Sequence, residues 1–396
     1  MSFDEIIDRK NNFSAKYDEL EQKFGRNDLI PLWIADMDFK TAAPIIEAIK
    51  ERADQGIFGY TSRPDSYYQS VCDWFEKYHD WRPEPQLMLH SLGVVVSLSL
   101  LIQNFTCPGD KIIIQTPVYY PFFDVIRKNG RILVENPLLK VNGHYEMDYA
   151  DFEKQARNGA KYFLLCSPHN PVGRVWTKEE LSRIGEICLK YGVRIIADEI
   201  HADIVFPGHK HVSIASISEA LQHNTITCIA PSKTFNLAGL QASLVIFPNM
   251  EERNKFDNIL GVLDIKRNSC FNLVAVEAAY RHGREWLEDV LKYIEGNFKY
   301  INEFCKKNIP EIKPNYPEGT YLVLLDCQGL GLDKKALHDF MVNKAKLALD
   351  DGFWFSNVLA QHMRLNAACP RQILVKALQQ LADAIHVLRT QNDKKI

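Results

Sequence analysis

The stretch Ala230-Pro231-Ser232-Lys233-Thr234-Phe235-Asn236-Leu237-Ala238-Gly239 decides how this chain is interpreted. It follows an apolar, β-type run at residues 225–229 and is rich in small residues. A lysine directly after a buried strand is poorly placed to solubilise a surface. Burial lowers the pKa of a lysine, and an uncharged lysine amine is a nucleophile that can form a Schiff base. Ser232 can donate a hydrogen bond to a phosphate. These residues alone leave open a surface lysine at a strand end.

Upstream segments place further polar or aromatic side chains directly after apolar strands. They are Tyr119 after residues 111–115, Asn170 after residues 161–166, and Asp198 at the end of residues 193–198. The carboxyl ends of parallel strands are where α/β folds bind ligands. An aromatic ring there can stack on a flat ligand, and a stiff loop with two prolines presents the Asn170 amide as a donor. Each segment alone also fits a core tyrosine or an ordinary Asn-Pro turn.

A fourth segment combines a short strand, a glycine and a helix. Residues 87–89 predict the strand, Gly93 permits a tight turn, and the apolar run 94–102 is long enough for a helix. Backbone N–H groups at the start of a helix, together with the helix dipole, bind anions. The sequence therefore predicts an anion site at Gly93, Val94 and Val95.

The order and spacing of these segments resemble those of the pyridoxal-phosphate (PLP) enzymes with the aspartate-aminotransferase fold. The resemblance is strongest to the MalY/PatB-type cystathionine β-lyases, also called cysteine-S-conjugate β-lyases. It extends over nearly the whole chain and is also carried by Pro31-Leu32-Trp33-Ile34-Ala35-Asp36-Met37-Asp38-Phe39 and Met363-Arg364-Leu365-Asn366-Ala367-Ala368-Cys369-Pro370-Arg371. It implies an α/β protein of fold type I, in which a large domain with a mostly parallel, seven-stranded sheet is joined to a smaller α/β domain built from both termini.

The resemblance also implies where the domains begin and end. We predict an N-terminal arm and part of the small domain over residues 1–45, a large PLP-binding domain over residues 46–288, and a small C-terminal domain over residues 289–396. The length of 396 residues fits two domains of unequal size.

Each candidate residue acquires an expected role from this resemblance. Lys233 would bind PLP covalently and act as general base, and Asp198 would keep the pyridine nitrogen protonated. Tyr119 would stack on the ring, with Asn170 and His201 beside the phenolate oxygen. A histidine at a strand end also fits a merely hydrogen-bonded role. The phosphate would be bound by Gly93, Val94, Val95, Ser232 and, from the other subunit of a homodimer, Tyr60.

The substrate would be bound by three further residues. A guanidinium forks onto a carboxylate with two hydrogen bonds, so Arg364 would hold the α-carboxylate. Trp33 and Asp36 would shape the substrate pocket with Tyr119. The alternatives without a functional role are a surface arginine on a strand for Arg364 and a packed tyrosine in the loop 56–61 for Tyr60.

Two positions depart from the wider family. Many aminotransferases carry an arginine bound to the phosphate eight residues after the lysine, where this chain has Gln241. The anion would therefore depend more on Ser232, backbone N–H groups and Tyr60. Relatives usually have a glycine-rich loop before the carboxylate-binding arginine, whereas residues 350–362 here are bulkier and contain one glycine. Because of this difference, the sequence does not decide whether this chain acts on the same substrate as its relatives.

Composition excludes several other classes of protein. With 47 basic and 50 acidic residues, the net charge of −3 gives no general basic field for nucleic acid. No apolar run approaches the ~20 residues of a membrane span, and the N-terminus is unlike a signal peptide. The 9 scattered cysteines form no Cys-x-x-Cys pair, which favours reduced thiols in the cytoplasm and no metal. The segment His209-Lys210-His211 follows a turn signal and is interpreted as a surface loop.

The sequence leaves three functions open. The first is a PLP-dependent lyase that cleaves cystathionine or another cysteine S-conjugate to a thiol, pyruvate and ammonia. The second is a PLP-dependent aminotransferase on the same scaffold, because the shared motifs do not separate the two. The third is a regulatory protein that retains the fold. The stretch from Trp33 to Phe39 and His201 favour the lyase by resemblance.

Overall fold

The structure, a computed structural model, describes residues 2–267 and 269–393. Its contacts divide the chain into two compact units. The central unit comprises Lys40–Asn170 and Arg174–Asp289. The terminal unit comprises the residues up to Phe39, Pro171–Gly173, and the residues from Val290 onward. The predicted domain limits at residues 45 and 288 stay predictions.

The strands alternate with helices through most of the chain. The strands are β1 (Ile30–Pro31), β2 (Met88–Ser91), β3 (Lys111–Thr116), β4 (Ile132–Pro137), β5 (Leu139–Val141), β6 (His144–Glu146), β7 (Ala160–Cys166), β8 (Arg194–Asp198), β9 (Thr225–Ile229), β10 (Ser243–Ile246), β11 (Lys313–Pro314), β12 (Leu322–Asp326), β13 (Leu347–Ala348), β14 (Asp350–Asp351) and β15 (His362–Asn366).

The helices are longest toward the C-terminus. They are α1 (Ala15–Asp18), α2 (Leu20–Phe24), α3 (Ala43–Asp54), α4 (Asp65–His79), α5 (Val94–Phe105), α6 (Pro121–Arg127), α7 (Tyr149–Arg157), α8 (Lys178–Tyr191), α9 (Glu219–Asn224), α10 (Pro231–Thr234), α11 (Met250–Val262), α12 (Cys270–His282), α13 (Arg284–Asn308), α14 (Lys334–Asn343) and α15 (Arg371–Asp393). No helix among the described residues is long and apolar enough to cross a membrane.

The central unit is built on a seven-stranded sheet with the order β2-β10-β9-β8-β7-β3-β4. Strand β10 is antiparallel to β2 and β9, and the other pairings are parallel. Strands of such sheets are buried on both faces, so they read as continuous apolar runs. Ile112, Ile113 and Ile114 of β3, for example, are fully buried. The predicted fold class, a mostly parallel seven-stranded sheet with helices, is confirmed.

Local signals set the ends of the helices. Helix α8 begins with a capping box, in which the Thr177 hydroxyl accepts from the Glu180 backbone N–H and the Glu180 carboxylate accepts from the Thr177 N–H. It ends at Gly192, whose φ of 67° is left-handed. Both ends of α8 are therefore set by residues close to them in the sequence.

The terminal unit contains a four-stranded antiparallel sheet with the order β11-β12-β15-β14. In its register, Asp350 of β14 lies opposite Arg364 of β15. A separate parallel pair joins β1 near the N-terminus to β13. The N-terminal region also contains the short helices α1 and α2, and Lys16 in α1 is fully buried.

Candidate active site

The carboxyl edge of the central sheet gathers most of the predicted cofactor-binding residues. Strand β2 runs parallel to β9, because β10 is antiparallel to both. The carboxyl ends of β2, β9, β8, β7 and β3 therefore meet at one edge. Following the strand order, this edge carries Gly93 after β2, Lys233 after β9, Asp198 at the end of β8, Asn170 after β7 and Tyr119 after β3.

Lys233 lies in α10, a single helical turn that follows β9 directly. Its side chain is half-buried, as is that of Ser232. The turn closes through hydrogen bonds from the Phe235 N–H to the Pro231 carbonyl and from the Leu237 N–H to the Ser232 carbonyl, both 2.9 Å. Pro231 at the first helical position presets the backbone for this turn. The sequence thus delivers the lysine from a buried strand onto a tight turn.

Asp198 is a buried carboxylate at the end of β8. Its Oδ1 accepts a hydrogen bond from the Ile200 N–H at 3.1 Å. Burial raises the pKa of the Asp198 carboxyl to about 7, although the Ile200 hydrogen bond and the positive charge of Lys233 oppose this rise. A cation beside the carboxylate would restore its ionised form, which burial alone disfavours.

Gly93 forms the turn that was predicted as an anion site. Its φ of 128° is sterically open to glycine, and apart from Gly93 itself and its two neighbours in the chain no described atom lies within 4 Å of where a Cβ would stand. Its N–H donates to Ser243 Oγ at 3.1 Å, and its carbonyl accepts from Ser97 Oγ at 3.0 Å. Helix α5 begins at Val94, so the N–H groups of its first turn have no carbonyl one turn earlier to bind.

His169 connects two of the strand-end loops. It immediately precedes Asn170, and its Nε2 lies 2.9 Å from the Pro117 carbonyl, two residues before Tyr119. Burial lowers the pKa of His169 to about 4, so the ring is neutral at physiological pH and donates from Nε2. Asn170 is buried and Tyr119 is half-buried. His169 was not singled out from the sequence, although it lies in the same proline-containing loop as Asn170.

Glu199 points away from this edge, as expected from its position one residue after Asp198. Its carboxylate accepts from Ser213 Oγ at 3.0 Å and lies 3.1 Å from His211 Nε2. His211 is buried, so the interpretation of residues 209–211 as a surface loop is wrong for this histidine. No cluster of three metal-ligating side chains occurs in residues 2–267 and 269–393. His201 is also buried.

Arg364 and its neighbours form a compact cluster in the terminal unit. The guanidinium is almost fully buried, its Nη2 contacts Asp350 Oδ2, and it donates to the Trp33 carbonyl at 3.2 Å. Its Cζ lies 4.7 Å from the centroid of the Phe355 ring. Burial raises the pKa of Asp350 to about 6, and the Arg364 charge opposes that rise. The alternative of a surface arginine is wrong.

Trp33 and Asp36 both contact the N-terminal segment. Trp33 Nε1 donates to the Lys16 carbonyl at 3.0 Å. The Asp36 carboxylate accepts from Arg9 Nη2 at 2.7 Å, and Lys16 Nζ lies 3.4 Å from it. Asp38 also contacts both cations, at 2.6 and 2.7 Å. The structure thus shows these residues anchoring the N-terminal arm; their role in shaping a substrate pocket stays a prediction.

The side chains at the sheet edge fit PLP. Asp198 supplies a buried acceptor that is stabilised by a cation, as a protonated pyridine nitrogen would be. The turn at Gly93 leaves open space beside the N-terminus of α5, which suits a phosphate. Ser91 and Ser167, at the ends of β2 and β7, have buried hydroxyl groups with no hydrogen-bond partner in the described part of the chain. These buried hydroxyls and the half-buried Lys233 make the edge polar, as a site for a charged cofactor requires.

Comparison with known proteins gives a consistent family assignment. The model of the aminotransferase class I and II family matches residues 27–381. Cystathionine beta-lyase PatB of Bacillus subtilis (strain 168) is 41% identical over 386 residues, which are 97% of this chain and 100% of that protein. A PLP-bound crystal structure from Clostridium difficile 630, of a protein named as an aminotransferase, is 49% identical, with a TM-score of 0.95 and coverage of 97% and 99% of the two chains.

A third relative is the PLP-bound C-S lyase from Staphylococcus hominis. It is 32% identical, with a TM-score of 0.91, and the match covers 97% of this chain and 98% of that chain. The matches extend over nearly the full length, so the family and fold predicted from the sequence motifs are confirmed. This chain belongs to the aminotransferase class I and II family, in the branch that contains the MalY/PatB-type cystathionine β-lyases.

Proposed function

We propose that this protein is a PLP-dependent C–S β-lyase that cleaves cystathionine or another cysteine S-conjugate. The observation that carries the proposal is the sheet edge of Lys233, Asp198 and the Gly93 turn, in a chain 41% identical to a cystathionine β-lyase over nearly its full length. Lys233, Asp198, Asn170 and Tyr119 would hold the cofactor, with Gly93, Val94, Val95 and Ser232 at its phosphate and His201 near its phenolate oxygen.

The chain's own residues supply binding and proton transfer. Bound PLP supplies an aldehyde carbon and an electron-withdrawing ring. Lys233 removes the proton from the substrate α-carbon as general base. Asp198, as an anion, holds the cofactor nitrogen protonated. The thiolate leaves the β-carbon, so that one cysteine S-conjugate and one water yield one thiol, one pyruvate and one ammonia.

Arg364 binds the substrate α-carboxylate in this proposal, and Trp33 and Asp36 shape the pocket. The contact of Nη2 with Asp350 and the packing of the guanidinium on Phe355 restrict its rotation. A guanidinium held in this way is pre-organised for two parallel hydrogen bonds to a carboxylate.

Arg364→Lys is expected to raise the KM for the amino-acid substrate by about 10- to 100-fold. Lysine keeps the charge but loses one charge-assisted hydrogen bond, worth about 1.5–3 kcal/mol. Steady-state kinetics check this result, with Arg389→Lys as control. Arg389 makes a bidentate ion pair with Glu311 at 2.6 Å and is 41% exposed. If the KM of Arg364→Lys equalled that of Arg389→Lys, Arg364 would not bind the substrate carboxylate.

The proposed reaction is tested by incubating PLP-loaded protein with L-cystathionine and S-alkyl cysteines without any keto acid. Pyruvate and thiol in equal amounts are expected. Free PLP at the same concentration is the control for uncatalysed elimination. Absence of both products would refute the lyase assignment.

An aminotransferase is the second candidate, favoured by the name of the Clostridium difficile relative, which is 49% identical. Such an enzyme would pass the amino group to a keto acid and release no thiol. Adding a keto acid to the same incubation distinguishes the two reactions. Amine transfer in the absence of thiol release would establish the aminotransferase.

We also propose a homodimer in which Tyr60 reaches the phosphate of the neighbouring subunit. Tyr60 is 91% exposed in the single chain, and Ile57, Phe58 and Val262 expose apolar side chains in the same unit. Large apolar side chains at such exposure mark a surface for another protein. A dimer of this kind in the cytoplasm also fits a chain whose nine cysteines are all free thiols.

Mixing two homodimers that are both impaired at low PLP concentration tests the role of Tyr60. Tyr60→Phe is expected to weaken PLP binding about 10-fold through loss of a charge-assisted hydrogen bond. After subunit exchange with Lys233→Ala, each mixed dimer holds one site with both residues intact only if Tyr60 acts across the interface. Recovered activity at low PLP supports the proposal. No recovery, in a mixture shown by sizing to have exchanged, would place Tyr60 elsewhere.

A further inference from the structure

Behind the lysine turn, a carboxylate that belongs to none of the predicted site residues accepts three hydrogen bonds. Asp203 lies five residues after Asp198, and its side chain is 5% exposed. Its Oδ1 accepts from Trp74 Nε1 at 2.8 Å and lies 2.7 Å from His79 Nε2. Because an ionised carboxylate only accepts, Nε2 is assigned as the protonated nitrogen of His79.

The other oxygen of Asp203 binds the turn that carries Lys233. Thr234 Oγ1 donates to Asp203 Oδ2 at 2.8 Å, and Thr234 is 1% exposed. Burial raises the pKa of Asp203, but hydrogen bonds and charge from His79, with the Trp74 and Thr234 donors, bring the pKa below its usual value. The carboxylate is therefore an anion that both α4 and α10 bind.

The turn needs such support because it is short. Helix α10 is four residues long, and no side chain caps its start. Beyond Lys233, the Phe235 carbonyl accepts from Thr41 Oγ1 at 2.6 Å. The Phe235 ring packs edge-on against Trp74 at 5.6 Å. Trp74 therefore contacts both Asp203, which accepts from Thr234, and Phe235, which follows Thr234 in the chain. Both contacts lie next to Lys233.

We infer that Asp203, held by His79 and Trp74, is a positioning residue for Lys233 and acts through the Thr234 hydroxyl. This inference rests on the proposed function, since it concerns where the amine stands when it attacks and when it removes a proton. Asp203 touches neither substrate nor cofactor in this scheme. It keeps the Cα of residue 234, and with it that of its neighbour, in one place.

Thr234→Val is the decisive variant because valine has the shape of threonine without the donor. We expect kcat to fall by roughly 10- to 100-fold, the cost of misplacing a catalytic group by about 1 Å, with KM changed less than threefold. The rate of covalent PLP attachment to Lys233 should fall in parallel with kcat. Borohydride reduction and peptide mass mapping measure this rate. Thr234→Ser restores the hydroxyl and should return both rates to within about threefold of the wild type.

Thr227→Val is the matched control. Thr227 lies in β9, is 1% exposed, and its hydroxyl has no hydrogen-bond partner in the described part of the chain. It should leave kcat and attachment unchanged. Asp203→Ala removes the acceptor of the same hydrogen bond, so it should also lower kcat and the attachment rate. Adding Thr234→Val to Asp203→Ala should lower them no further, because the two substitutions remove one shared hydrogen bond.

Three results would overturn the inference. The first is Thr234→Val with wild-type kcat and attachment rate and only a lower melting temperature, which makes the contact merely structural. The second is Thr234→Ser as slow as Thr234→Val, which makes the hydroxyl irrelevant. The third is a wild-type protein that attaches no PLP at all, which also refutes the proposed function. A wild type that attaches PLP without releasing thiol refutes only the lyase reaction, and the attachment rates still test Thr234.

Discussion

Lys233→Ala is expected to abolish C–S cleavage, with kcat reduced by at least about 10⁴-fold. Loss of a general base alone costs about 10²- to 10⁴-fold, and loss of the covalent link to the cofactor adds to it. The half-buried lysine on the α10 turn is the candidate for both roles. Pyruvate release measures the turnover, and borohydride reduction followed by mass mapping should label a peptide that contains Lys233.

Lys161→Ala is the control for the lysine variant. Lys161 is an exposed lysine on β7 of the same unit, so its removal tests non-specific effects of losing a charge. It should leave turnover and labelling unchanged. If Lys233→Ala retained a tenth of the wild-type kcat, another residue would have to be the base.

Asp198→Asn is expected to lower kcat by about 10²- to 10³-fold. Breaking a buried ion pair by removing one partner costs about 3–5 kcal/mol, and here the remaining partner would be the protonated cofactor nitrogen. Asparagine keeps the shape of the side chain, so the fold should persist. The steady-state kcat with cystathionine checks the effect. An exposed carboxylate that pairs with Lys128, Asp124, provides the control variant Asp124→Asn.

The same variant has a second readout that needs no turnover. Burial raises the pKa of Asp198 to about 7 in the folded chain, against about 3.9 in the unfolded chain. The folded state thus binds more protons in between, so the stability from this group is fully present below pH 4 and is lost as the pH rises to about 7. Relative to Asp198→Asn, the PLP-free wild type should lose on the order of a few kcal/mol over this range.

Denaturant unfolding at several pH values measures this difference. Loading with PLP should reduce it, because a cation next to the carboxylate removes the cost of ionising it. A pH profile of unfolding that is parallel in the two PLP-free proteins would show that Asp198 keeps an ordinary pKa, and would weaken its assignment as the partner of the pyridine nitrogen.

The departures from the wider family also have a place in the structure. Gln241 adopts a left-handed conformation with φ of 50°, directly after the short helical turn Ala238–Leu240. Two residues later Ser243 accepts from the Gly93 N–H. The stretch 350–362 supplies Asp350 and Phe355 to the Arg364 cluster. The bulky segment therefore supports the guanidinium, and its effect on substrate choice remains a prediction.

The amino-acid sequence by itself determined the elements whose signals are local. Continuous apolar runs marked the strands of the central sheet, and the Thr177–Glu180 capping box and Gly192 marked the ends of α8. These features depend on residues that are adjacent or only a few positions apart in the chain. The order of the polar strand ends then predicted the family, and the strand order places Asp198 and Lys233 at one edge of the sheet.

Tertiary structure alone decided the partners of buried charges. Asp203 meets His79 across 124 positions, Asp350 meets Arg364 through the register of β14 and β15, and Lys16 is buried against Asp38. No local sequence pattern marks such pairs, because in the sequence each of these carboxylates is indistinguishable from a solvated surface residue. Burying a charge is costly unless a partner is supplied, so these pairings depend on contacts between distant segments of the chain.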